Sequence, residues 1–112
     1  MRPLVAEVLP GLVLELQGLL EAHGHAELAR SVARLQIVRP CGCGSDFCAS
    51  FYTGLVPAGS ERTLMLDPAE GELMLDLVRG EIRFVEVLHR PEVRDALAQA
   101  GLLEVPPDPD LN

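Results

Sequence analysis

At 112 residues, the chain has room for one hydrophobic core and is too short for two domains of ordinary size. Hydrophobic residues make up 48% and charged residues only 23%, which excludes a disordered tail, because so apolar a chain buries enough surface to offset its ordering entropy. Nine basic residues, all arginine, stand against seventeen acids for a net charge of −8. This removes the sequence-independent phosphate attraction behind most nucleic-acid binding and favours a basic protein partner.

The opening run from Met1 to Pro10 is broken by Glu7 and Pro10, and then Glu15, well short of the ~18 apolar residues of a membrane span. No small-residue cleavage site follows, so the expectation is a cytoplasmic chain with reduced thiols, bound to neither membrane nor nucleic acid. Pro10 suits the first turn of a helix, and Leu9, Val13, Leu16 and Leu20 follow at spacings of four, three and four as one apolar stripe. His23-Gly24 ends that helix, and a second is expected from about His25 to Arg34, carrying Leu28 and Val32.

From Leu35 the period becomes alternating, and Pro40 ends a short strand. Residues 49–56 hold Phe51, Tyr52 and Thr53, a strand composition, so residues 35–56 read as a hairpin whose tip holds all three cysteines. A loop over 57–61 precedes strands over 63–67 and 72–78, joined by Pro68-Ala69-Glu70-Gly71. If Arg79-Gly80 is a two-residue hairpin loop, Val78 faces Glu81, Leu77 faces Ile82 and Leu75 faces Phe84. On the other face, Asp76 then opposes Arg83 and Met74 opposes Val85, leaving Met74, Val78, Val85 and Val87 as an apolar patch for helix cover or a partner. Pro91 opens a last helix with Val93, Ala96, Leu97 and Ala100 on its inner side, closed by Gly101. The expected architecture is an α+β domain over 1–104, with two N-terminal helices, a five-stranded mainly antiparallel sheet and a C-terminal helix. A Pro/Asp-rich tail follows over 105–112.

The distinctive chemistry lies in Cys41-Gly42-Cys43-Gly44-Ser45-Asp46-Phe47-Cys48, a Cys-x-Cys-x4-Cys arrangement. Zinc takes four tetrahedral ligands, and a glycine-rich turn lets thiolates converge, so Cys41, Cys43 and Cys48 are candidate metal ligands. His23, His25, His89, Asp46 or a water would supply the fourth position. The alternatives are thiol redox chemistry, a small zinc-dependent hydrolase, and three ordinary thiols packed in a tight turn. No P-loop is possible without lysine, and no nucleophile elbow surrounds Ser45, Ser50 or Ser60, so no catalytic residue is assigned.

The run from Cys41 through Cys48 into Ser50-Phe51-Tyr52-Thr53, together with residues 78–82 and 85–88, resembles a group of small uncharacterised bacterial proteins with a Cys-rich hairpin and a Gly-turn strand pair. That resemblance carries no known activity. The sequence therefore points to a binding module that recognises a protein partner or a second copy of itself, with a structural zinc site in the hairpin.

Overall fold

The computed structural model describes residues 2–43, 45–56 and 61–103, so the expected tail over 105–112 and most of the 57–61 loop lie outside the described residues. Its elements in order are α1 (Val5–Val8), α2 (Pro10–Ala22), α3 (Ala26–Val32), β1 (Arg39–Pro40) and β2 (Phe51–Tyr52). They are followed by β3 (Arg62–Leu66), β4 (Glu72–Val78), β5 (Glu81–Leu88) and α4 (Pro91–Gln99). The five strands form one antiparallel sheet in the order β1-β2-β5-β4-β3. The fold is the expected α+β mix. No described helix is long and apolar enough to cross a membrane.

The apolar stripe of α2 does what its spacing predicts. Leu9, Val13, Leu16 and Leu20 are all buried, and they join one cluster with Val32 of α3 and Val93 and Leu97 of α4. Leu73, Leu75 and Leu77 of β4 and Ile82, Val85 and Val87 of β5 complete that cluster, so the helices cover one face of the sheet. Arg90 ties the layers together at the rim. Its guanidinium makes a two-pronged contact with Glu15 of α2 at 2.7 and 3.0 Å, and donates to Glu92 of α4 at 2.6 Å.

Several expectations are corrected. The short helix α1, closed by Leu4 donating its N–H to the Glu7 carboxylate at 3.0 Å, was not legible as a helix in its four residues. The expected strand over 35–40 is divided. Leu35 to Ile37 bonds instead to the N-terminal segment, through Val5 N–H to Leu35 O and Ile37 N–H to Pro3 O, and only Arg39–Pro40 joins the sheet. The strand expected over 49–56 is likewise confined to Phe51–Tyr52.

The β4–β5 register is the larger correction. Arg79 (φ 55°) and Gly80 (φ 76°) form the tight turn, and Val78 faces Glu81 and Leu77 faces Ile82 as predicted. A bulge between Asp76 and Leu77 then shifts the pairing by one, so that Asp76 faces Phe84, Leu75 faces Val85 and Met74 faces Glu86. The extra residue puts Ile82, Val85 and Val87 on the same core face, which strict alternation forbids. The four residues expected as one apolar patch are divided: Val85 and Val87 enter the core beneath the helices, Val78 is buried beside the turn, and Met74 shares the opposite face with Asp76, Phe84 and Glu86. The expected Asp76–Arg83 pair does not form. Asp76 accepts from the Thr63 hydroxyl at 2.9 Å, and Arg83 pairs with Glu81 at 2.8 Å.

Candidate metal centre

The cysteine turn is fixed at both ends by the sheet. Arg39 pairs with Tyr52 and Pro40 with Phe51, and the Cys41 N–H extends that ladder to Ser50 O at 2.9 Å. On the return side, Cys48 bridges Leu88 at the end of β5, and Ala49 N–H donates to Val87 O at 2.8 Å. Between these anchors Cys48 N–H closes a small turn on Ser45 O, and Gly42 takes a φ of 79° that side chains rarely adopt. From α4, the Arg94 guanidinium donates to Ser45 O at 3.1 Å and Cys48 O at 3.0 Å, which holds the turn against the body. Arg39 stacks over the Tyr52 ring at 4.0 Å, bracing the other side of the hairpin base.

This scaffold brings the three thiols together. The sulfurs of Cys41, Cys43 and Cys48 all lie within 4.8 Å of one another. Cys48 is buried, Cys41 half-buried and Cys43 exposed, so the cluster runs from the interior to the surface. A tetrahedral zinc with bonds of about 2.3 Å needs sulfurs about 3.8 Å apart, so side-chain movement of roughly 1 Å converts this cluster into a ligand set. The three sulfurs are close enough to bind a metal ion.

Their environments differ. Burial, followed by the charge of Cys48, pushes the Cys41 thiol up to about 11. Hydrogen bonding from the Ser45 backbone, reinforced by Cys48, Ser45 and Cys41 side chains, brings Cys43 down to about 7. The exposed sulfur is therefore the one whose charged form the turn stabilises.

Ser50 supports the innermost sulfur and was not singled out by the sequence. It is a buried polar residue, and its hydroxyl oxygen accepts from Cys48 Sγ at 3.3 Å and from Val87 N–H at 2.9 Å while donating to Val87 O at 3.4 Å. Cys48 and Ser50 are two apart in an extended segment, which places them on the same side, and that spacing was the available signal. The Ser50 hydroxyl is thus the polar group beside the innermost sulfur, able to donate as well as accept. Arg94 gave no such signal, since it is 46 residues from Cys48.

The histidines occupy other places. His23 ends α2 and His25 precedes α3, at the helix junction. His89 adjoins the cysteine turn, where its ring stacks on Phe47 with centroids 5.0 Å apart and its N–H donates to Phe47 O at 2.9 Å. Among the described residues, no histidine or carboxylate joins the three thiols within their 4.8 Å span. Asp46 is exposed in the turn. No protein-family model, curated protein or solved structure matches the chain.

Proposed function

We propose that Cys41, Cys43 and Cys48 hold a zinc ion that pins the hairpin of a small partner-binding module. The observation that carries this reading is the convergence of three sulfurs within 4.8 Å on a turn fixed at both ends. An all-thiolate set suits zinc among the common divalent ions, and zinc bound only by the folded state adds its binding free energy to stability. Three ligands from the turn leave the fourth position to water, one of the histidines, or a group from a protein partner or second copy. The surplus of acids on the chain favours a basic partner.

The test is thermal melting of protein purified without chelator, before and after addition of a strong zinc chelator, in the native chain and in Cys43→Ser. The reading predicts that chelation lowers the Tm of the native chain and leaves that of Cys43→Ser unmoved. An equal Tm for the native chain with zinc and with chelator would contradict it.

A second reading, thiol exchange, is favoured by one observation: Cys43 is exposed, has a pKa lowered to about 7, and has two further sulfurs within 4.8 Å. It predicts rapid alkylation of Cys43 at neutral pH in protein stripped of metal, and an internal disulfide on mild oxidation. Alkylation no faster than that of a free thiol would remove it.

A further inference from the structure

Away from the cysteine turn, at the opposite end of β5, lies a cleft of about 670 Å³ between α3 with its following turn and the Gly80–Arg83 start of β5. Three of the nine arginines, Arg30, Arg34 and Arg83, line it. This concentration runs against a chain of net charge −8. Arg83 is held in place: its guanidinium pairs with Glu81 at 2.8 Å, donates to Leu55 O at 3.4 Å, and lies against Gly54, where a Cβ would come within 2.6 Å of Arg83 Cδ. Arg30 lies in the last turn of α3 and Arg34 in the turn that follows it and, among the described residues, neither has an ion pair or hydrogen bond through its guanidinium. Like charges that line one cleft repel, and an anion between them relieves the repulsion.

The remaining lining narrows the ligand. Glu81 is already engaged by Arg83, and Glu27 is the other acid of the wall. The hydroxyls of Ser31 and Thr53 donate internally, to Leu28 O at 2.7 Å and Ile82 O at 2.8 Å, so polar recognition falls to the guanidinium groups. Leu28, Leu35 and Ile82 supply an apolar wall beside them. Guanidinium forks match phosphoryl oxygens, and a cleft of this size has room for an organic remainder as well. We infer that this cleft binds a phosphoryl dianion, with Arg30, Arg34 and Arg83 as its ligands.

The inference is independent of the metal reading and is tested on the full chain as purified, by calorimetric titration at constant ionic strength. The probes are inorganic phosphate and phenyl phosphate. Saturable binding is expected, and simultaneous Arg30→Ala and Arg34→Ala substitution weakens it by at least about tenfold. Both residues are exposed, so the Tm of this double variant in chloride alone stays at the native value. Tighter binding of phenyl phosphate assigns the site to an organic phosphomonoester, and equal binding of the two assigns it to the free ion. Absence of saturable binding by either probe up to about 10 mM, or native affinity in the double variant, would overturn the proposal.

Discussion

Two hairpins share this sheet and are held in different ways. The β4–β5 pair has strands of seven and eight residues, joins through Arg79-Gly80, and buries Leu73, Leu75, Leu77, Ile82, Val85 and Val87 against the helices. The β1–β2 pair has two residues per strand; Cys48, Ala49, Ser50 and Phe51 on its return side are buried, while Cys43, Asp46 and Phe47 at its tip are exposed. Its cysteine turn is held by polar ties: Cys41 N–H to Ser50 O, Arg94 to two carbonyls of the turn, and Ser50 between Cys48 and β5. The first hairpin is stabilised by apolar area and tolerates a bulge without losing its core. The second enters the core through Ala49 and Phe51, but among the described residues none of positions 41–47 is buried, so a metal that gathers the three sulfurs would act where that hairpin is least supported.

Perturbations that separate the two hairpins sharpen this contrast. The largest effect is expected in the first: Leu75 is wholly buried at the sheet centre, and Leu75→Ala should cost about 4 kcal/mol in denaturant unfolding. Metal stoichiometry should be unchanged in the fraction that remains folded.

The next effect belongs to the second hairpin and concerns pH. A metal bound by these sulfurs would displace the Cys41 proton throughout the neutral range, because burial pushes that thiol up to about 11, and the Cys43 proton below about 7. Protons therefore compete with metal increasingly as pH falls. Zinc affinity measured by competition with a chromophoric chelator should drop by at least about a hundredfold from pH 8 to pH 6. The stability added by metal falls in the same direction, and an affinity independent of pH would break the thiolate assignment.

Smaller effects come from the residues around the sulfurs. Ser50→Ala removes the hydroxyl beside Cys48, and the same competition assay should show zinc affinity reduced about tenfold. Melting in the presence of chelator reports separately on the buried Val87 N–H that loses its acceptor. Arg94→Ala unties the turn from α4 and should cost about 1 kcal/mol, with hydrogen exchange quickening at Cys48 N–H and at its neighbours before it quickens in β4.

The same contrast decides how much was legible beforehand. Helical periodicity identified α2 from Leu9, Val13, Leu16 and Leu20, and α4 from Val93 and Leu97, because burial imposes a period on the sequence itself. The span of β4, the Arg79-Gly80 turn and the gathering of the cysteines at a hairpin tip were readable for similar local reasons. Register beyond Ile82 was not, since counting from a turn assumes unbroken alternation and one bulge reverses every later assignment. The signal lay in Ile82, Val85 and Val87, whose spacing of three and then two only fits one face if a residue is inserted. Contacts such as Arg90 with Glu15, 75 residues apart, leave no periodic trace in a single sequence. Of the seven candidate metal ligands, the three cysteines converge because one turn gathers them; Asp46 lies in that turn but is exposed and outside the cluster, and the histidines lie on elements whose placement depends on the tertiary fold.

The central claim is that the three sulfurs form a metal centre, and native mass spectrometry of the untagged chain tests it most directly. Protein is purified without chelator, equilibrated with one equivalent of zinc and freed of loosely held ions, and its reactive thiols are counted in the same sample. The account predicts one zinc per chain with the thiols protected, and loss of both features in Cys43→Ser. A chain that carries no metal after this treatment and shows three freely reactive thiols would contradict it.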